Sequence, residues 1–216
     1  MTKRFGIVLV CTAATFSAAA ASNRVWFAEN FQPGGSNRWE NVAFFKPPTD
    51  YQMVRDGTNF CVRGVSEQAS SAFAVKLDIA PSPKLKLRWR WKILGVAARG
   101  SERDLKRFDH AARVFVAFDT FIGPPRTINY SWATDEKPGT ALEHPKSGRA
   151  QIIVLQSGNT RTNEWITEER DVTADWRRVF GEREMPKLIG LGVMTDSDST
   201  GARLTGYYTD IRLTAE

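Results

Sequence analysis

Residues 84–93 alternate without a break. Lys84, Lys86, Arg88, Arg90 and Lys92 fall on one parity, and Leu85, Leu87, Trp89, Trp91 and Ile93 fall on the other. Successive side chains of a strand point to opposite sides, so a period of two over this length dictates a β-strand with one apolar face. Its other face carries only cations, about 7 Å apart. Such a strand suits an antiparallel sheet with one wetted face and argues against the parallel sheet of an α/β protein, whose strands are covered on both sides. Like charges in a row also need an answer, either acids on a neighbouring strand or an anionic ligand.

Short apolar segments recur along the rest of the chain, separated by Gly, Pro, Asn and Asp. They predict strands over 24–29, 41–46, 51–55, 59–64, 72–79, 85–93, 112–119, 127–133, 150–156, 165–172, 187–195 and 203–214. Spacing of this kind points to an all-β fold, an antiparallel β-sandwich or jelly roll. Val114–Phe118 and Ile152–Leu155 are apolar at both parities, as in central strands covered on both faces or facing a ligand groove. One or two short helices are expected. Ser101 caps one candidate running to Arg107, and Thr173 caps another through Phe180, closed by Gly181. Loops 95–107 and 134–149 are the longest, and long loops on a rigid sandwich are where binding usually sits.

Residues 1–21 have the form of a secretory signal peptide: Lys3 and Arg4, a short apolar run from Phe5 to Phe16, then Ala19-Ala20-Ala21. Cleavage near Ala21 leaves residues 22–216 as one β-sandwich domain, large enough to bury its own core. The expected location is the periplasm or the exterior, with no transmembrane segment. Cys61 is then the sole thiol, so no intramolecular disulfide forms, and a small buried hydrophobe is its expected role. The formal charge of +6 falls by two when Lys3 and Arg4 are removed. A balance so mild permits a polyanion without requiring one, and an exported chain whose cations and aromatics lie on opposite strand faces is not expected to bind nucleic acid.

Several groups carry candidate chemistry. Asp196-Ser197-Asp198-Ser199-Thr200-Gly201 places oxygen side chains at alternate positions before a glycine, as in the opening of a calcium loop. A polar turn between two strands is the competing reading. Asp210 on the final strand, with Glu29 near the first, is a second set of hard donors, for which two surface acids is the competing reading. Trp132, at the rim of the 134–149 loop, is the candidate ligand-facing ring, with a place in the core as the competing reading. Asp109, Glu169 and Asp171 are the acids for a catalytic pair, should the protein be a polysaccharide hydrolase or lyase. Glu169 and Asp171 share a strand face, and pairing with Arg88 and Arg90 across the sheet is the plainer expectation. Arg88, Arg90, Arg113 and Arg170 are the candidate ligand-binding cations. The two histidines, His110 and His144, lack metal-ligand spacing, and no G-x-S-x-G, P-loop or H-E-x-x-H motif is present.

Five stretches in order resemble an uncharacterised family of exported bacterial proteins, the domain of unknown function numbered 3047. They are Leu87–Lys92, Asp109–Phe118, Asn129–Ala133, Glu169-Arg170-Asp171-Val172 through Asp175 to Gly181, and Met194–Gly201 leading to Tyr207-Tyr208. The resemblance implies a β-sandwich of carbohydrate-binding type and no assigned activity. It also implies an Asp-Asp pair before Ala111-Ala112-Arg113, where this chain has Phe108-Asp109. If that pair binds metal, half of it is lost here.

The expected function is therefore an exported, non-catalytic sandwich that binds a glycan or another anionic cell-envelope ligand and holds a structural Ca2+. The alternatives are an enzyme on acidic glycans, with the acids and arginines converging in one cleft, and an envelope interaction module reading a protein through a free basic row.

Overall fold

The apolar face of residues 85–93 lies at the centre of the molecule, with Leu85, Leu87, Trp89, Trp91 and Ile93 all fully buried. The structure, a computed structural model, describes residues 24–35, 37–43 and 45–215. The expected signal peptide, residues 1–21, lies outside the described residues. In chain order the elements are β1 (Arg24–Glu29), β2 (Glu40–Ala43), β3 (Asp50–Asp56), β4 (Asn59–Glu67), β5 (Ser70–Ile79), β6 (Leu85–Ile93), β7 (His110–Phe118), β8 (Arg126–Ala133), β9 (Ala141–His144), β10 (Ser147–Ser157), β11 (Ile166–Asp171), α1 (Val172–Phe180), β12 (Leu188–Asp196) and β13 (Arg203–Ala215).

These strands form two sheets, as an all-β sandwich requires. One has six strands in the order β11-β6-β13-β4-β3, with β1 added beside β13. The other has seven, in the order β2-β5-β12-β7-β8-β10-β9. Every described pairing is antiparallel except β8 with β10, which is parallel. Strand β9 falls inside what the sequence suggested was the 134–149 loop. No described helix is long and apolar enough to cross a membrane.

Aromatic rings fill the gap between the sheets. Trp89 and Trp91 meet edge to face at 5.4 Å, Trp89 packs on Tyr130 at 5.3 Å, and Trp91 packs on Trp132 at 5.8 Å. At one end α1 closes the core with Trp176, whose ring lies 4.7 Å from Phe118. Asp171 Oδ1 caps this helix by accepting the Ala174 N–H at 2.9 Å, so the cap is Asp171 and not Thr173. Asp175, buried on the helix, accepts from the Tyr130 hydroxyl at 3.0 Å and from Arg170 Nε at 2.9 Å. The other expected helix is a single 3-10 turn, Leu105–Arg107, capped by Asp104 and not Ser101.

A polar clasp ties the sheets at the opposite end. Thr195 Oγ1 of β12 lies 3.0 Å from Ala111 O and 2.7 Å from the Tyr208 hydroxyl of β13. Thr49 Oγ1 donates to Thr195 O at 2.7 Å, and the Thr195 N–H donates to Tyr51 at 3.0 Å. Only glycine leaves room for this approach. A Cβ on Gly206 would stand 2.5 Å from Ala111 O and 2.6 Å from Thr195 Oγ1, inside van der Waals contact. Gly206→Ala is therefore expected to cost about 3 kcal/mol through overpacking. Urea unfolding checks this against Gly95→Ala, whose Cβ would meet only Asn159 at 3.7 Å and which should stay within about 0.5 kcal/mol of the parent.

Candidate functional site

Alternation gives each sheet one face in the core and one facing outward, so the sandwich presents two separate outer surfaces. The face of the seven-stranded sheet bears a groove of about 380 Å3. Its floor is built by outward residues of central strands: Ala72 of β5, Met194 of β12, Phe115 of β7, and Thr127 and Asn129 of β8. The strand order sets Lys46, just after edge strand β2, at one side, and His144 of edge strand β9 at the other. Phe115 is half-buried and lies across Gly192 on the neighbouring strand, where a Cβ would come within 2.4 Å of its ring. The absence of a side chain at Gly192 is what lets the ring lie down in the floor. Phe45, almost fully exposed, and Leu105 add apolar surface at the rim.

One end of the groove is ionic. Arg113 Nη2 lies 2.7 Å from Asp196 Oδ1, and both side chains are almost wholly buried. The contact is an ion pair in which the Arg113 charge favours the ionised form of Asp196. Arg113 Nη2 also sits 3.0 Å from Met194 Sδ. The carboxylates of Asp109, Asp196 and Asp198 bring oxygens within 4.8 Å of one another. Asp109 accepts the Ser199 N–H at 2.9 Å and the Thr200 N–H at 2.6 Å, which shapes the turn after β12. Lys46 Nζ stands 3.9 Å from Asp198.

Burial pushes the Asp196 carboxyl up to about 7, with Asp109 and Asp198 adding to the rise and Arg113 opposing it. Burial and the nearby Arg113 have the reverse effect on the histidines. His144 is lowered to about 4, and His110 is held well below the ordinary imidazole value. Both are therefore neutral at neutral pH. His144 Nδ1 accepts the Lys146 N–H at 3.1 Å, which leaves the ring proton on Nε2. The rings of His110 and His144 lie edge-on to Phe108 at 4.6 and 4.4 Å. Neither nitrogen of His110 has a hydrogen-bond partner among the described residues.

The site expected from sequence is divided. Asp109, Arg113, Asp196 and Asp198 converge at the groove's end. Thr200 contributes its backbone N–H to Asp109, while its hydroxyl accepts from Ala202 N at 3.3 Å. Asp210 lies on the other sheet and pairs with Arg90 at 3.1 Å, so it shares no ion with Asp196 and Asp198. Glu169 and Asp171 do not form a catalytic pair with Asp109. Glu169 faces outward on the six-stranded sheet, 4.0 Å from Lys86, and Asp171 caps α1. Trp132 corrects the expectation of a ligand-facing ring, since it is buried and donates its indole N–H to Gly158 O at 3.0 Å. Arg170 is held by Asp175, and Arg88 and Arg90 lie across the sandwich from Arg113. In the basic row, Lys92 is answered by Asp56 at 2.6 Å and Arg90 by Asp210. Arg88, exposed, has no acid of its own, so the row is answered only in part. Sequence reasoning set Phe115 in a segment covered on both faces or facing a ligand groove, without singling it out, and missed Asn129 and Gly192. Their parity opposite to Val114, Tyr130 and Val193 was the available signal.

A match over residues 37–212 decides the family. The chain belongs to the family described as "Protein of unknown function (DUF3047)". No curated protein matches it. Among solved structures, this chain is similar to the Family 11 Carbohydrate-Binding Module of the cellulosomal cellulase Lic26A-Cel5E of Clostridium thermocellum, at 9% identity, covering 92% of this chain and 97% of that one with a TM-score of 0.48. It is also similar to TmCBM61 in complex with β-1,4-galactotriose, at 10% identity over 89% and 99% with a TM-score of 0.45. The xyloglucanase domain of NopAA, a type three effector from Sinorhizobium fredii, matches at 11% identity over 82% and 93% with a TM-score of 0.44. Likenesses of this grade decide nothing about ligand or activity in this DUF3047 chain.

The opposed titrations give a signed pH dependence. The Asp196 carboxyl rises from 3.8 to about 7 on folding, so its contribution to stability is complete below pH 4 and is lost as pH rises through 7. The histidines fall below 6.5, so theirs is complete above that value and is lost as pH drops. Asp196→Asn removes only the first contribution. Urea midpoints should therefore fall more steeply for this variant than for the parent between pH 7 and 4, and parallel profiles would show that Asp196 titrates normally.

Proposed function

We propose that this protein is an exported, non-catalytic sandwich that binds an oligosaccharide in the groove of its seven-stranded sheet. The observation that carries the reading is Phe115, a half-buried ring laid over Gly192 in the floor of a groove that also offers Thr127, Asn129 and a neutral His144. Sugar rings present an apolar C–H face and a rim of hydroxyls. An open ring with hydrogen-bonding side chains beside it answers both. The signal-peptide form of residues 1–21 supports export.

Catalysis has weaker support. A glycosidase needs two carboxyl groups open to substrate, about 5–9 Å apart. Here Asp109 is spent on two backbone N–H groups, and Asp196 is buried against Arg113. Asp198, with 22% of its side chain exposed, is the acid of the three with the most open surface. Titration calorimetry against a panel of soluble neutral and acidic oligosaccharides tests the reading. Phe115→Ala should weaken the best ligand at least tenfold, about 1.4 kcal/mol, with the circular dichroism spectrum unchanged. Unchanged affinity in that variant, or no heat with any member of the panel, counts against the groove.

In the same reading Arg113 takes the place of the expected calcium. Six to eight oxygen donors suit that ion. The converging carboxylates already face a guanidinium, a lysine and two backbone N–H groups. Thermal unfolding should then give the same midpoint in EDTA and in millimolar Ca2+. A rise of several degrees with Ca2+ would restore the ion to the site.

A further inference from the structure

The outer face of the six-stranded sheet holds a second cavity of about 380 Å3, across the sandwich from the groove. A β-bulge makes it. β13 runs against β6 in regular register from Gly206 to Thr209, then shifts so that Arg212 stands directly opposite Arg88. Asp210, within the shift, has φ +51°, a left-handed conformation that costs a non-glycine residue energy. The extra residue reverses the parity of the strand. Without it Arg212 would turn to the face of Leu87, into the core. With it Ile211 and Leu213 are buried and Arg212 faces outward beside Arg88. The other edge of β13 changes partner at the same point, from β4 to β1. The cavity lies over β13 at this point, lined by Arg88 and Arg90 of β6 on one side and by Ala28, Glu29 and Asn30 on the other.

The charges there do not balance. Arg90 is answered by Asp210 at 3.1 Å and by Asn59 at 3.0 Å. Glu29 also lines the cavity, and its carboxylate is occupied by the Asn30 and Phe31 N–H groups and the Trp39 indole N–H. Glu169, opposite Arg88 on β11, lies 4.0 Å from Lys86. Arg88 and Arg212 are both exposed, and neither guanidinium has an ion pair or hydrogen bond with a described residue. Like charges directly opposite on paired strands are destabilising. A strained bulge that creates such a pair at the mouth of a cavity points to a ligand that neutralises it.

We propose that Arg88 and Arg212 together bind an oxyanion: the carboxylate of a uronic acid, a sulfate or a phosphate. Guanidinium forks match the oxygens of all three. This site is independent of the oligosaccharide groove, and Phe115→Ala leaves it intact.

Titration calorimetry on the full chain at low ionic strength, with sodium sulfate, sodium phosphate and sodium galacturonate as separate probes, tests the proposal. The controls are Arg88→Gln, Arg212→Gln and the double variant. At least one probe should bind the parent, and each single substitution should weaken it at least tenfold. The probe that binds names the source of the oxyanion. In chloride alone each variant should unfold at a midpoint equal to or above the parent's, because repulsion is relieved. If no probe binds, or if the double variant binds as tightly as the parent, the proposal is overturned. Misfolding of a variant would show as a fall in its chloride midpoint, and the parent titrations decide the matter in that case.

Discussion

The structure depends on the filling of the gap between its sheets by the inward face of β6. Trp89 and Trp91 are too large to be covered by one sheet, and they reach Tyr130 and Trp132 of β8 on the other. Burying a large aromatic side chain contributes roughly 2–3 kcal/mol, and among the described residues no disulfide assists, because Cys61 is free and buried. The outward face of β6 is a row of cations, and β11 sets Glu169 opposite Arg88 and Asp171 opposite Lys86 in register, yet Glu169 reaches Lys86, Asp171 caps α1, and Arg88 is left without an acid.

Strand parity made much of the fold legible. Eleven of the twelve expected segments needed only small changes at their ends, because each had one apolar parity or an apolar run between turn residues. The twelfth, 41–46, keeps only its first half as β2. β9 was missed because Ala141-Leu142-Glu143-His144 is too short to establish a period. Trp132 was misplaced, although its parity matches Ile128 and Tyr130, which are core residues. Its nearness to a long loop was given more weight than the alternation of its own strand. The helix cap was off because Asp171 was read as the end of a strand. It is both, since β11 runs into α1 without a loop.

The site was less legible because its parts are distant in sequence. Asp109 meets Ser199 and Thr200 ninety and ninety-one residues away through their backbone N–H groups, which no residue pattern reveals. The turn after β12 was read as self-sufficient, whereas its carboxylate comes from the start of β7. Four arginines looked like one ligand-binding set. Parity and sheet membership distribute them otherwise: Arg113 to one outer face, Arg88 and Arg90 to the other, and Arg170 to a buried pair with Asp175. A single irregularity, the bulge at Asp210, adds Arg212 to the second face and could not be foreseen from an alternation that looks unbroken.

The buried pair at the end of the groove explains why an ionic cluster can coexist with a binding surface for uncharged groups. Breaking a buried ion pair by removing one partner is costly, on the order of 3–5 kcal/mol, because the remaining charge is stranded. Arg113 and Asp196 are close enough to satisfy one another without projecting into the groove, and Asp109 is occupied by backbone N–H groups. The floor beside them is formed by Phe115, Thr127 and Asn129, which face outward. The acids and Arg113 act on those residues through position, by fixing the ends of β7 and β12 that hold Phe115 against Gly192. A charged end that is neutralised internally gives the groove a rigid frame, and the outward side chains are left to make the contacts that discriminate among ligands.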